Sequence, residues 1–299
     1  MLGAQGKLLA GSLTAFCILV IACGATPQEN TSPRSASGPL SVESALPPTD
    51  ETAANQLNTS PRHGEWVDIT LPGSNVSIST WVVYPERSDP APVVLVIHEI
   101  FGLSDWVRGV ADQFAAEGFI AVAPDLLSGM GPNGGGTASL GQRDNAVATI
   151  RNLAADERER RLDAVRDYAL GIPAGNGRVG SVGFCWGGTA SFAYAASQPN
   201  LDAAVVYYGA SPEHASDYAQ INAPVLAHYG GNDERVNATI PPAEEGMAAE
   251  GNYYEPIVYA GAGHGFLRAQ SGQEGANLQA TEKAWPRTLE FFREHLVEN

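Results

Sequence analysis

The sequence predicts an α/β protein whose central sheet is mostly parallel and covered by helices on both faces. From Val93 to the carboxyl terminus, short apolar runs that suit buried strands alternate with helical patterns. Two runs with period-two polarity, residues 65–71 and 76–84, precede this part and are separated by the turn sequence Pro-Gly-Ser-Asn. These observations predict a hairpin followed by strand–helix units, within one domain that spans residues 65–299.

Each strand after the hairpin is predicted from a short apolar run. Residues 93–97 read Val-Val-Leu-Val-Ile, as a strand buried on both faces should. Residues 119–123 form a second such run. The later strands are predicted at residues 178–182, 203–208, 224–229 and 255–259.

Apolar residues at helical spacing predict the helices between these strands. A first helix begins after a Ser104 cap. Residues 154–170 form a second one, in which Glu157 and Arg161 make an i,i+4 pair. An alanine-rich helix follows at 189–198. The closing helix, at about 278–296, carries a stripe of Trp285, Leu289, Phe292 and Leu296.

The first residues of the chain are typical of an export signal. Residues 1–22 contain a single charge, Lys7, followed by an apolar run. Cys23 ends the tetrapeptide Val-Ile-Ala-Cys, which resembles the bacterial lipobox, where the signal is cut before a cysteine that is then lipidated. An ordinary cleaved signal and an uncleaved membrane anchor remain the alternatives.

Residues 23–64 are rich in Ser, Thr, Pro, Asn and Gln and contain hardly any large apolar side chain. Such a segment buries too little surface to offset the entropy of ordering, which predicts a disordered tether. We therefore expect an exported, monomeric protein that the lipid on Cys23 anchors to a membrane of the periplasm or cell envelope.

The composition also excludes some classes of partner. The net charge of −16 argues against nucleic-acid binding, which needs clustered Lys and Arg on one face. His98 and Glu99 lack the second histidine that a metal-binding motif would place four residues on. No cofactor and no metal are therefore predicted.

The residues that most clearly indicate chemistry are Gly183-Phe184-Cys185-Trp186-Gly187-Gly188, between a predicted strand and a predicted helix. Glycines two before and two after the central residue are what a strained nucleophile elbow needs. A helix that starts at Cys185 would favour the thiolate and stabilise an oxyanion beside it. A buried structural cysteine in a tight turn is the alternative.

Two later loops offer partners in the order nucleophile, acid, histidine that this elbow usually has. Asp233 follows one of the last predicted strands, with Glu234 as the alternative acid, and His264 follows the next strand between two glycines. His264 would take the thiol proton, and the acid would orient its ring. His264 could also be an ordinary surface histidine. His228 lies inside a strand and is predicted to be a core histidine.

The loop after the first buried strand reads His98-Glu99-Ile100-Phe101-Gly102. In elbow-containing sheets this loop supplies one oxyanion N–H, and the residue after the nucleophile supplies the other. The backbones of Ile100 and Trp186 are therefore the predicted oxyanion hole. Glu99 would lie close to the thiol, unless it is a solvated loop carboxylate.

Together these motifs resemble the dienelactone hydrolase family, thiol enzymes of the α/β-hydrolase fold, over residues 65–299. The matching motifs are Glu99-Ile100-Phe101-Gly102, Gly183-Phe184-Cys185-Trp186-Gly187-Gly188, Gly231-Asn232-Asp233 and Gly263-His264-Gly265-Phe266. The resemblance implies that Cys185, Asp233 and His264 form a triad. It also implies that Glu99 contacts the resting thiol and helps to ionise it when substrate binds.

The family holds its substrate carboxylate with two arginines. One lies four residues after the histidine, where this chain has Arg268, and the other lies at the distance from the nucleophile where it has Arg143. Guanidinium groups grip a planar carboxylate well, although either arginine could be an ordinary surface residue. The chain departs from the family at Val147, where well-known members have tyrosine, which puts the substrate in question. The permissive Gly265 follows the histidine.

The resemblance implies a hydrolase that opens a lactone or cleaves a small carboxylate-bearing ester, as a carboxymethylenebutenolidase does. Catalysis would proceed by Cys-His-Asp nucleophilic attack through an acyl-thioester. One alternative is a broad-specificity thiol esterase that makes no use of the arginines. The other is a surface lipoprotein that has lost catalysis and uses the fold as a binding module.

Overall fold

The computed structural model describes residues 45–297. The predicted signal, the lipobox residue Cys23 and the first part of the tether therefore lie outside the described residues. Over the part that is described, no helix combines the length and the apolar character that a membrane span needs.

A sheet of eight strands runs through the domain, in the order β1-β2-β4-β3-β5-β6-β7-β8. The strands are β1 Gly64–Thr70, β2 Ser77–Val83, β3 Ala91–Ile97, β4 Ile120–Pro124, β5 Gly175–Phe184, β6 Ala203–Tyr207, β7 Val225–Gly230 and β8 Tyr254–Tyr259. The hairpin β1-β2 is antiparallel and joins β4 in antiparallel fashion. All the other pairs are parallel. This confirms the predicted fold class and every predicted strand.

The register places the carboxyl ends of the central strands at one level. Ile97 of β3 pairs with Gly183 of β5, and Phe184 pairs with Tyr207 of β6. Tyr207 in turn pairs with His228 of β7. The residues that directly follow β3, β5 and β6 therefore meet at one edge of the sheet, which is where parallel α/β sheets carry their ligand sites.

Helices cover both faces of the sheet. They are α1 Ala53–Thr59, α2 Asp105–Ala116, α3 Thr137–Leu140, α4 Arg143–Ile150, α5 Ala155–Leu170, α6 Trp186–Ser197, α7 Ala215–Tyr218, α8 Glu234–Asn237, α9 Ile240–Glu250 and α10 Ala276–Leu296. Buried side chains of α5, α6 and α9 form the core on one face. Those of α2 and α10 form the core on the other. The sheet is therefore enclosed between two apolar layers.

The predicted local features of the helices are present. Ser104 is the residue before α2, although its side chain makes no capping hydrogen bond, and α5 contains the pair Glu157–Arg161 at 2.9 Å. The sequence did not predict α9, which begins with Ile-Pro-Pro. Two consecutive prolines usually indicate a loop. The first turn of a helix nevertheless tolerates proline, because the N–H groups of that turn have no partner within the helix.

The histidine predicted to belong to the core does so. His228 is fully buried and its two ring nitrogens pair with the Tyr259 hydroxyl at 2.9 Å and the Thr288 hydroxyl at 3.0 Å. Burial lowers the pKa of His228 to about 3, so the imidazole is neutral at physiological pH. Its role is structural.

The predicted tether is wrong for residues 45–64, which belong to the folded domain. We call residues 45–62 the strap, because this segment, which includes α1, lies along α2. Trp106 donates its indole N–H to the Pro48 carbonyl at 2.9 Å, and Gln270 donates to the Pro47 carbonyl at 2.9 Å. The folded unit therefore starts near residue 45 rather than 65.

Small side chains explain why a polar segment can dock in this way. Pro48 packs so closely on α2 that a Cβ at Gly109 would lie 2.7 Å from its Cγ atom. At the far end of the strap, Ser60 donates to Asp112 at 2.6 Å and Arg62 donates to the same carboxylate at 3.0 Å. Close packing and buried hydrogen bonds replace the large apolar side chains that the composition lacks.

Candidate active site

Cys185 lies in a strained turn between β5 and α6, with φ 55° and ψ −115°. Its backbone N–H donates to the Tyr207 carbonyl at 3.0 Å. A Cβ at Gly183 would lie 1.8 Å from the Gly187 carbonyl oxygen, and one at Gly187 would lie 2.4 Å from the His98 carbonyl oxygen. Only glycine fits at either position, as the elbow interpretation requires.

Two backbone N–H groups near the Cys185 thiol favour its ionised form. They belong to Ile100, in the loop after β3, and to Trp186, the first residue of α6, and both act to lower the pKa of the thiol. If this sulfur added to a carbonyl carbon, the negative charge that develops on the carbonyl oxygen would lie near the same two donors. The structure thus brings together the two backbones that the sequence nominated.

The thiol is neutral at rest. Burial, followed by the negative charge of Glu99, raises the pKa of Cys185 to about 11, while the Trp186 and Ile100 N–H groups act to lower it. The helix start therefore acts in the direction that the sequence predicted, but desolvation and Glu99 outweigh it.

His264 and Asp233 form the second part of the site. The Nδ1 atom of His264 lies 2.5 Å from the Asp233 carboxylate, and the imidazole is about one-third exposed. Glu234 is exposed and does not contact His264, so Asp233 is the acid that orients the ring. Within residues 45–297, no hydrogen bond joins the thiol directly to His264.

Glu99 is buried beside the thiol and is paired with Arg268. The Arg268 Nε atom donates to the Glu99 carboxylate at 2.7 Å, and only 4% of the Glu99 side chain is exposed. Burial raises the pKa of Glu99, and the charge and hydrogen bond of Arg268 oppose that rise. The solvated alternative for Glu99 is wrong. If Arg268 were drawn away, this carboxylate would become a stronger base.

His98 fixes the loop that carries Glu99 and Ile100. Its Nε2 atom accepts the Leu126 backbone N–H at 3.2 Å, so Nδ1 carries the proton and donates to the Glu99 carbonyl at 2.8 Å. Burial lowers the pKa of His98, which keeps the ring neutral, and the ring stacks on Trp186 at 5.6 Å. The sequence had given His98 no role.

The two arginines named from the family resemblance lie side by side over one ring. The Arg143 guanidinium carbon is 4.9 Å from the Phe101 ring centroid, and that of Arg268 is 5.4 Å from it. A carboxylate of the strap lies between them. Both oxygens of Asp50 are 2.7 Å from Arg143 Nη2, and one is 3.7 Å from Arg268 Nη1. The sequence did not suggest Asp50.

Tyr208 is a further residue that the sequence did not nominate. It directly follows β6, has φ 42°, and its ring meets that of His264 edge-on at 5.2 Å. Burial raises the pKa of Tyr208, so its hydroxyl remains a donor. That hydroxyl has no hydrogen-bond partner among the described side chains and backbone groups. The sequence feature that could have identified Tyr208 as a site residue is its position at the carboxyl end of a central strand.

Across the described range there is no group of three or more His, Cys, Asp and Glu side chains arranged to hold a metal ion. The site is built instead from a thiol, an imidazole–carboxylate pair, an arginine–carboxylate pair and two backbone donors. These are the parts that thiol-based acyl transfer needs.

The raised pKa of the thiol predicts slow alkylation. Iodoacetamide reacts with the thiolate, so we expect the rate of alkylation at Cys185, measured on its own peptide in the free protein, to rise about tenfold per pH unit from pH 7 to 10 without a plateau. The Glu99→Gln variant should react faster at every pH in this range, because the negative charge that opposes thiol ionisation has gone.

The control for that measurement is Glu86→Gln, which removes an exposed carboxylate that does not affect the thiol. Its alkylation profile should match that of the unmodified protein. A plateau below about pH 9 in the unmodified protein would contradict the prediction, because it would indicate an ordinary or depressed thiol pKa.

The chain is similar to known proteins of one family. The sequence profile of the dienelactone hydrolase family matches residues 78–296. A carboxymethylenebutenolidase of Pseudomonas putida is 33% identical over 212 residues, which cover 68% of this chain and 86% of that protein. A protein of Escherichia coli K12, provisionally named carboxymethylenebutenolidase, is 31% identical over 242 residues, or 76% and 86% of the two chains.

A solved structure is also similar to this chain. The crystal structure of a provisionally assigned dienelactone hydrolase from Klebsiella pneumoniae is similar with a TM-score of 0.68 and 26% sequence identity. The match covers 78% of this chain and 99% of the other. Since the family profile spans most of the folded domain, the chain is a hydrolase of the α/β-hydrolase fold and belongs to the dienelactone hydrolase family.

Proposed function

We propose that this protein hydrolyses a lactone or small ester that carries a carboxylate, with Cys185 as the nucleophile. The observation that carries the proposal is the position of the thiol near the backbone N–H groups of Ile100 and Trp186, which favour its ionised form, in a site that also contains the pair His264–Asp233. A carbonyl carbon at the sulfur would place its oxygen within reach of both donors.

Substrate binding would prepare the thiol for attack. Arg143 and Arg268 would hold the substrate carboxylate, and this new contact would draw Arg268 away from Glu99. An unpaired carboxylate in a buried position is a stronger base, so Glu99 would then accept the proton of the Cys185 thiol. The neutral resting thiol would in this way be ionised only when substrate is present.

Two acyl-transfer steps complete the reaction. The Cys185 thiolate adds to the carbonyl carbon, the C–O bond breaks to leave an acyl-thioester, and the proton on Glu99 passes to the departing oxygen. His264, held by Asp233, then takes a proton from a water molecule whose oxygen attacks the thioester. The C–S bond breaks, and the proton on His264 returns to the sulfur.

An assay of charge selectivity tests this proposal. The purified protein should hydrolyse a dienelactone with a higher kcat/KM than 4-nitrophenyl acetate, which has no carboxylate. In the Arg268→Ala variant the ratio of the two kcat/KM values should fall about 100-fold, because one charge-assisted contact to the carboxylate is lost. Arg293→Ala, which removes a half-exposed arginine from α10, is the matched control and should keep the ratio.

Two other outcomes of this assay would favour one of the two alternative functions. Hydrolysis of both substrates with a ratio that does not change in Arg268→Ala would indicate a broad-specificity thiol esterase. Failure of the unmodified protein to hydrolyse either substrate would favour a binding module that retains the fold.

A further inference from the structure

The carboxylate of Asp50 is placed as a substrate carboxylate would be. Both of its oxygens contact Arg143 Nη2 at 2.7 Å, and one lies 3.7 Å from Arg268 Nη1. Both guanidinium groups are stacked on Phe101. The pair of arginines that the family resemblance assigns to a substrate carboxylate is therefore already bound to a carboxylate of the chain itself.

The backbone of the strap sets the position of Asp50. Its N–H donates to the Arg268 carbonyl at 3.2 Å. The carbonyls of Pro47 and Pro48, three and two residues before Asp50, accept hydrogen bonds from buried Gln270 and Trp106. Since these contacts use backbone groups, the Asp50 side chain could rotate away from the arginines while the strap stays docked.

The charges balance around the arginines. Arg143 and Arg268 carry two positive charges, and Asp50 and Glu99 carry two negative ones. A substrate carboxylate would add a third negative charge to a site that is already neutral. The more exposed pair is the one between Asp50 and Arg143, whose side chains are 26% and 52% exposed. Solvent screening makes such a pair weak, so it is the one that a competing carboxylate can displace.

We propose that Asp50 is a specificity-determining residue that occupies the carboxylate position between Arg143 and Arg268, so that a substrate carboxylate binds by displacing the Asp50 side chain. This inference rests on the proposed function, in which the same two arginines hold the substrate. The strap lies before residue 78, where the match to the family profile begins. Asp50 therefore lies outside the region that matches the family profile, but it lowers the affinity for a substrate carboxylate of two arginines that lie within that region.

Calorimetric binding to the full chain tests the proposal without requiring turnover. The probe is cyclopentylideneacetate, which has the ring and carboxylate of a dienelactone but no ester, and its neutral amide is the reference ligand. In Asp50→Asn, the Kd for the carboxylate should fall about fivefold relative to that for the amide, because the competing charge has gone. Asp50→Glu keeps a carboxylate on the strap and should give no such gain.

Glu51→Gln is the matched control, since it removes the same charge from the next residue of the strap, which is exposed and forms no ion pair within the described part of the chain. Its Kd for the carboxylate should equal that of the unmodified protein. Three results would overturn the proposal: no tightening in Asp50→Asn, equal tightening in Glu51→Gln, or no binding of the carboxylate by any variant.

The proposed function can fail separately. If the unmodified protein does not hydrolyse the dienelactone, but Asp50→Asn binds the carboxylate probe more tightly and Glu51→Gln does not, the assignment of Asp50 stands and the hydrolytic substrate is wrong.

Discussion

Replacing Cys185 by alanine should lower the kcat for dienelactone hydrolysis by at least about 10⁴-fold, because the variant lacks the thiol that we propose as the nucleophile. The backbone N–H groups of Ile100 and Trp186 would remain and would support only the attack of water. Steady-state rates of the two proteins at equal concentration measure this loss. The thiol is only half-buried, so the melting temperature should change by no more than a few degrees.

A covalent adduct provides an independent check on the same residue. Because Cys185 is the proposed nucleophile, acid quenching of the unmodified protein during turnover of 4-nitrophenyl acetate should leave an acyl group on the Cys185 peptide and not on Cys17 or Cys23. Turnover that persists in Cys185→Ala, or acylation at another position, would show that the nucleophile has been assigned wrongly.

The second large effect is expected at Asp233. Asp233→Asn should lower kcat about 10³- to 10⁴-fold, since an amide at this position no longer stabilises the imidazolium and does not hold the Nδ1–H tautomer of His264. The neighbouring variant Glu234→Gln removes an equal charge from an exposed position and should keep kcat within about threefold.

These neighbouring variants also decide between the two acids that the sequence left open. The structure pairs Asp233 with His264 at 2.5 Å and leaves Glu234 facing solvent. A larger loss in Glu234→Gln than in Asp233→Asn would reverse the assignment and would require the loop after β7 to rearrange when substrate binds.

Much of the site could be predicted because its constraints are local in sequence. The elbow needs glycines at fixed positions around Cys185, since a Cβ at Gly183 or Gly187 would collide with backbone atoms. The loop after β3 and the loops after β7 and β8 follow recognisable strands. Strand order then brings the named residues to one edge of the sheet.

The remaining features depend on contacts between distant parts of the chain. Arg143 and Asp50 are 93 residues apart, and the composition of the strap suggested disorder rather than docking. The ionisation of Cys185 could not be predicted either, because the start of α6 favours the thiolate whereas burial and Glu99 favour the thiol. Only the three-dimensional arrangement shows which effect is larger.

The ring of Phe101 has a consequence for the entropy of binding. A free arginine side chain loses about 2 kcal/mol of rotamer freedom when it is immobilised, and two arginines would lose twice as much. Here both guanidinium groups lie over one aromatic ring before any ligand arrives. Part of that ordering therefore takes place during folding, so an anion that displaces Asp50 meets guanidinium groups already confined beside Phe101 and retains more of the energy of its contacts as affinity.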